Sequence, residues 1–488
     1  MNLVQYFENQ VEKDPEKVFL IEEQEAKIIR QLTYREVYET AKRVAGNLLK
    51  AGIRVPIYSQ DRVAIVLPNS PELVMVWLGI NWLGAVACPL EAILAKGELE
   101  SKLDFLEPRL VINESNIKDF TEREPEKTVA IYPAEPRQAA TIIQSSGTTG
   151  EPKGVVESHF NYILAGEGYC YWMNILKSDR LYSCLSFARI NAQAYTIMGS
   201  IAAGATAIIG SKFERGRNFW QKICATEATV MNLIGNMIHD LDKQPVVEDE
   251  KKHSVRIIAN ALAIPDADFH QKLEQRFGSV IVIMYGSTEQ LFGAVMPLTN
   301  AKKGSDCVGK PKTHPRFPLN GEFMAMILRE NGSCVTQAGE IGELYLRSPF
   351  ITHYWKNPAL TAKKWGRHYW YRTGDYFAFD DDGYLYYKGR EGEAMRRGGN
   401  WIGPREIESV LLQHPKIADA AVIGLRDTNG EEHVKAVVMP VAETTITSEE
   451  LIEFCKEKLT IYKIPDQWEF VAELFRTPTE RVQKNLLR

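Results

Sequence analysis

Between residues 205 and 285 the chain repeats one pattern. Short β-rich runs at 205–210 (ATAIIG), 229–234 (TVMNLI), 255–260 (VRIIAN) and 280–285 (VIVIMY) are separated by helical stretches such as 266–277. Uninterrupted Val and Ile runs bury both faces of a strand, and strands joined through helices lie parallel. The alternation starts earlier. A helical pattern opens at Thr33-Tyr34 and ends near Ala51-Gly52, 62–67 (RVAIVL) reads as a strand, and a helix begins near Pro71. An α/β fold follows, with sheets covered by helices. The 488 residues exceed one compact core and imply roughly two to four domains or subdomains.

The pattern changes after about residue 305. Segments 343–347 (ELYLR) and 384–388 (YLYYK) alternate and are flanked by Gly and Asp, which predicts a small antiparallel or barrel-like piece. A glycine-rich joint covers 389–404 (GREGEAMRRGGNWIGP). Beyond it, a helix over 404–414 with proline in its first turn, strands at 418–425 and 433–441, and a helix over 448–459 with Ser448 as N-cap predict a small α+β unit. The predicted division is a large N-terminal domain, 1–388, a hinge, 389–392, and a mobile C-terminal domain, 393–488.

Composition excludes several classes. Apolar residues make up 45%, charged residues 25%, and the net charge is −5, so no basic field points to nucleic acid. The seven cysteines are scattered without a C-x-x-C pair, as in reduced proteins, and residues 1–17 lack a signal-peptide core; a cytoplasmic location is expected. The uncharged run 73–90 (LVMVWLGINWLGAVACPL) reaches the lower edge of a membrane span, but Asn81 interrupts it. A buried helix running into a strand is the expected reading, with no membrane span.

Residues 145–154 (SSGTTGEPKG) follow the apolar pair Ile142-Ile143. Such a stretch makes a surface loop or an anion cradle, in which backbone N–H groups, hydroxyls and a lysine gather round phosphate. It does not fit G-x-x-x-x-G-K-[ST]. Four further stretches stand in order after it: 285–289 (YGSTE), 339–344 (GEIGEL), 371–375 (YRTGD) and Gly389-Arg390.

Together these five motifs resemble those of the AMP-forming adenylating enzymes, which include acyl-CoA synthetases, adenylation domains of peptide synthetases and luciferases. INAQ at 190–193 and NLIGNM at 232–237 are most similar to the branch of carnitine/crotonobetaine-CoA ligases. The resemblance implies an ATP-dependent carboxylic acid–CoA ligase that forms acyl-AMP and then a thioester, using ATP, Mg2+ and coenzyme A. It also implies roles. Ser145, Ser146, Gly147, Thr148, Thr149, Gly150 and Lys153 would hold the phosphates. Tyr285, with Gly286, Ser287 and Asn260 nearby, would flank adenine, and Thr288 would contact the α-phosphate. Glu289 would bind Mg2+, Asp375 the ribose hydroxyls, and Arg390 would stand near ribose and phosphates. Arg189, Asn191, Ile234 and Gly235 would line the acyl pocket, and Gly398-Gly399 the tunnel for the pantetheine arm.

The chain departs from the family in four places, one of them 259–262 (ANAL), where many members have glycines beside the nucleotide. Arg481 stands where the family has its bridging lysine, with Lys484 three residues on. Gly392 takes the hinge position. Arg189 replaces a histidine beside the acyl group, where it would pair either with a second carboxylate on the substrate or with an acid of the protein. Two alternatives to the CoA ligase stay open: an enzyme loading the phosphopantetheine of a carrier protein in trans, and a nucleotide-binding homologue with weakened catalysis. The expected assembly is a monomer or homodimer.

Overall fold

The computed structural model describes residues 1–54, 59–146, 152–214, 216–234, 237–261, 267–291, 294–295, 298, 306–311, 314–316, 324–350, 352–393, 395–397, 400–426, 432–476 and 482–487. Its β/α alternation forms two mainly parallel sheets. In the first, Val18–Gln24, Thr206–Ile209, Arg180–Ser183, Val230–Leu233, Ile257–Asn260 and Val280–Tyr285 run parallel, with antiparallel strands at both edges. In the second, Leu110–Asn113, Arg62–Val66, Val86–Leu90 and Ala139–Ser146 run parallel, and Pro152–Ser158 and His353–Tyr354 extend it antiparallel.

The helices form where local chemistry asks for them. Tyr34–Lys50 starts with a capping box: Thr33 Oγ1 accepts from the Glu36 amide, and the Glu36 carboxylate accepts from the Thr33 amide. The 73–90 run divides into the helix Pro71–Trp82, buried except at Glu72 and capped by Ser70 with proline in its first turn, and the buried strand Val86–Leu90. Asn81 is tolerated there because its Nδ2 donates to the Trp77 carbonyl at 2.8 Å. Gly84, at φ +74°, turns the chain between the two elements, and a Cβ there would lie 2.3 Å from the Tyr132 ring. Among the described residues no helix is long and apolar enough to cross a membrane.

The piece after residue 305 is an antiparallel sheet ordered Cys307–Gly309, Leu385–Arg390, Tyr371–Phe379, Gly342–Arg347 and Met324–Leu328. Its strand Leu385–Arg390 carries the first half of the segment read as a hinge, and Gly392 follows at φ +83°. A separate hydrophobic cluster begins at Met395 and includes Ile402, Ile407, Leu411, Val422 and Leu451. It lies between helices Pro404–Leu412 and Ser448–Lys456 and the sheet Ile417–Arg426, Glu432–Pro440 and Gln467–Phe470. The N-cap of the second helix is Thr447, not Ser448: Thr447 Oγ1 accepts from the Glu450 amide, which leaves Ser448 as the first helical residue.

Candidate active site

Leu233 pairs with Asn260, and Asn260 with Ile283, so three parallel strands of the first sheet end at nearly one level. Open α/β sheets bind ligands beyond such carboxyl ends. The register therefore gathers Ile234, Asn260 and Tyr285 along one edge. The loop after Arg180–Ser183 brings Arg189 and Asn191 to the same end of the sheet.

Tyr285 closes its strand with its hydroxyl donating to Asp375 Oδ2 at 2.7 Å and its ring edge-on to Phe377 at 4.9 Å. Asp375 and Arg390 are cross-strand partners in the antiparallel sheet, with Arg390 Nε 3.3 Å from Asp375 Oδ1. The Thr373 hydroxyl accepts from the Asp375 amide, and Gly374 turns the chain at φ +78°. Asp375 is buried, and its charge holds the Arg390 guanidinium above its ordinary range. Burial, and then the same carboxylate, raises the Tyr285 hydroxyl, which keeps it a donor. Sequence reasoning named all three residues, and the fold brings them together through a hydrogen bond and an ion pair on Asp375.

Gly286 leads out of the strand into a turn in which the Ser287 carbonyl accepts from the amides of Gln290 and Leu291. Thr288 and Glu289 lie on that turn. Glu289 Oε1 accepts from the Tyr354 hydroxyl at 2.7 Å. Tyr354 pairs with Val155 on the strand that carries Lys153, so one hydroxyl ties Glu289 to the edge of the second sheet. Ser145 pairs with Lys153 and Ser146 with Pro152. Gly147, Thr148, Thr149 and Gly150 lie outside the described residues.

Arg189 pairs with an acid of the protein, the second of the two alternatives. Its Nε is 3.0 Å from Glu91 Oε1, and its Nη1 donates to the Gln144 carbonyl at 2.8 Å. Asn191 precedes a π-helical turn, Ala192–Ile197, and its Oδ1 is buried without a hydrogen-bond partner among the described residues. Such single π turns recur at functional sites. Gly235, Gly398, Gly399 and Arg481 lie outside the described residues. Lys484 is held 2.6 Å from Glu408 Oε1 within the C-terminal unit.

Three charged or polar neighbours escaped the sequence. Tyr354 and Glu91 are described above. Lys364, at the end of helix Pro358–Lys364, donates to the Arg372 carbonyl at 3.1 Å; burial lowers its ammonium, partly offset by Glu289. Only strand pairing across the fold reveals Tyr354, and no motif in 350–364 marks Lys364.

The chain matches known proteins over its full length. Residues 7–355 match the AMP-binding enzyme family and residues 406–481 the AMP-binding enzyme C-terminal domain. A crotonobetaine/carnitine–CoA ligase of Proteus mirabilis (strain HI4320) is 28% identical, covering 100% of this chain and 99% of its own. One of Escherichia coli O8 (strain IAI1) is 27% identical, covering 96% of each. In fold, the chain resembles the anthranilate CoA ligase AuaEII in complex with anthranoyl-AMP, with a TM-score of 0.87, 24% identity, and coverage of 100% of this chain and 96% of that one. It also resembles ATP-bound MatB from Rhodopseudomonas palustris, with a TM-score of 0.86, 24% identity, and coverage of 100% and 98%. The chain belongs to the AMP-binding enzyme family.

Proposed function

We propose that the chain is an ATP-dependent carboxylic acid–CoA ligase. A carboxylate attacks the α-phosphorus of ATP, giving acyl-AMP and pyrophosphate; the thiol of CoA then takes the acyl group as a thioester, and AMP leaves. The observation that carries this reading is the Tyr285–Asp375–Arg390 group at the carboxyl edge of a parallel sheet, in a member of this family similar over its full length to acid–CoA ligases.

Each step asks for a residue type that is present. Asp375 has about four lone-pair sites. One takes the Tyr285 hydroxyl and one faces Arg390, which leaves acceptors for the two ribose hydroxyls. The Tyr285 ring offers a face to adenine. Two anions must meet, so donors and cations have to surround the phosphates. By the family resemblance, Ser145 to Lys153 and Thr288 would supply them, and Arg481, in the position of the family's bridging lysine, would bring positive charge to the attacking carboxylate and the α-phosphate. Mg2+ fits beside Glu289: the carboxylate is oriented by Tyr354, and Ser287 Oγ is a second buried oxygen without a partner among the described residues. Mg2+ accepts one or two carboxylates and fills its shell with phosphate and water. When bound, it neutralises phosphate charge.

Thioester formation needs the adenylating arginine to leave. The C-terminal unit, with its own core after Met395, swings about 389–392 and brings Gly398-Gly399 to the pantetheine arm.

The test has two stages. Pyrophosphate exchange into ATP is followed with a panel of carboxylic acids that includes crotonobetaine and carnitine. AMP release is then followed with the best acid and either free CoA or a holo-carrier protein. Exchange with at least one acid and faster AMP release with CoA are expected. No exchange with any acid overturns the ligase reading, and turnover with the carrier protein alone replaces CoA as acceptor.

A further inference from the structure

The loop after Arg180–Ser183 belongs to the first sheet, yet it is fastened to the second sheet at two places. Near the end of Arg62–Val66, Asn69 donates from Nδ2 to the Leu185 carbonyl and accepts from the Phe187 amide, both at 2.9 Å. Just past Val86–Leu90, both Glu91 oxygens are used: Ser186 Oγ donates to Oε2 at 2.6 Å, and Arg189 Nε lies 3.0 Å from Oε1. Arg189 then spends a second arm on the Gln144 carbonyl. Gln144 is the last residue before Ser145, on the strand that pairs with the one carrying Lys153.

We propose that Glu91 and Arg189 are a positioning pair that fixes the root of the hairpin bearing Ser145, Ser146 and Lys153, and that Arg189 is not the receptor for a charge on the acid. The pair is mostly shielded, with side-chain exposures of 13% for Glu91 and 21% for Arg189. Shielding strengthens a charge-assisted bond relative to a surface pair. A substrate carboxylate that drew Arg189 away would leave Glu91 without its cation and the Gln144 carbonyl without its donor, and both losses oppose that use. The guanidinium fork matters because it serves Glu91 and Gln144 at once; an ammonium in its place would favour one of them. The same fork sets how far the hairpin root stands from the turn carrying Asn191. The distance between the phosphate side and the acid side of the proposed site is therefore set by Arg189 together with the Asn69 and Ser186 ties.

This inference rests on the ligase reading, because it takes ATP to sit on that hairpin. The experiment measures the dissociation constant of Mg·ATP by calorimetry, without any acid, for the unaltered chain and for Arg189→Met, Arg189→Lys and Glu91→Gln. The KM values of two acids are measured alongside. Arg189→Met weakens ATP binding about tenfold, Glu91→Gln weakens it by less, and Arg189→Lys recovers part of the loss; the ratio of the two acids stays as in the parent. Glu91→Gln is nearly isosteric and keeps the test decisive if Arg189→Met fails to fold. Unchanged ATP affinity with an altered choice of acid overturns the pair alone. Failure of the unaltered chain to bind ATP overturns the ligase reading together with the pair.

Discussion

The two sides of the site are built differently. On the side proposed for the nucleotide, Tyr285 and Arg390 both engage Asp375, and Tyr354 holds Glu289. On the side proposed for the acid, Asn191 Oδ1 is buried without a partner among the described residues, beside a π-helical turn. A group that already has its partners is set before substrate arrives, and preorganisation of this kind is what electrostatic catalysis exploits. An orphaned acceptor costs stability until something satisfies it. The difference suits a shared cosubstrate at one end and a particular acid at the other.

Asp375→Ala attacks the preorganised side hardest. It removes the proposed ribose acceptor and leaves Arg390 without its carboxylate in a largely enclosed position. ATP affinity falls on the order of 100-fold. Stability falls by about 2 kcal/mol, less than for a fully buried pair because Arg390 keeps some solvent contact. Calorimetry and thermal melting read the two losses. Unaltered ATP affinity would remove Asp375 from the nucleotide side.

Glu289→Gln acts on the metal requirement. The Mg2+ concentration for half-maximal pyrophosphate exchange rises about tenfold, because a hard cation loses its charged ligand. Tyr354→Phe keeps the carboxylate but frees its orientation, and the requirement rises only about two- to threefold. Equal effects from the two changes would mean that the Tyr354 hydroxyl supports the strand more than it supports Glu289.

Asn191→Leu sharpens the contrast from the other side. It removes a buried orphan and raises stability by about 1 kcal/mol, leaves ATP affinity as it was, and changes the ranking of acids in the exchange assay. The combination of higher stability and altered function is the signature of a site that tolerates an unsatisfied group for its substrate. A loss of ATP affinity in this variant would place Asn191 on the nucleotide side.

Much of the arrangement could be read before folding because it is local. Periodicity placed the strands that end at Asn260 and Tyr285 within a few residues. The family resemblance carried by YGSTE and YRTGD assigned Tyr285 and Asp375 to one nucleotide, and the two side chains meet although they lie 90 residues apart. The missed features are those set by packing between sheets. Nothing near Glu91 announces that it will receive Arg189, because the two stand on different sheets. Tyr354 reaches Glu289 only because a two-residue strand pairs beside Val155. Ser is the better cap by chemistry, yet the chain's approach to the helix selects Thr447.

The smallest expected effect on activity comes from Glu157, and it tests whether the nucleotide side is as fully satisfied beneath the surface as at it. Glu157 is fully buried on the strand Pro152–Ser158, accepts from Asn161 Nδ2 at 2.7 Å, and has a second oxygen without a partner among the described residues. Burial, reinforced by the nearby Glu289 charge, pushes its carboxyl well above the ordinary value of 4.5. A folded-state value above the unfolded one means that the unfolded chain ionises first. Stability is therefore unpenalised below the ordinary value and falls as pH rises through the window between the two. Glu157→Gln keeps the acceptor for Asn161 and removes the ionisation. It therefore stabilises the fold, little near about pH 5 and more near about pH 8, with ATP affinity unchanged. Melting curves of both chains at the two pH values read the difference. An equal gain at both would show that the folded chain ionises Glu157 as readily as the unfolded one does, and that burying the carboxyl carries a cost independent of pH.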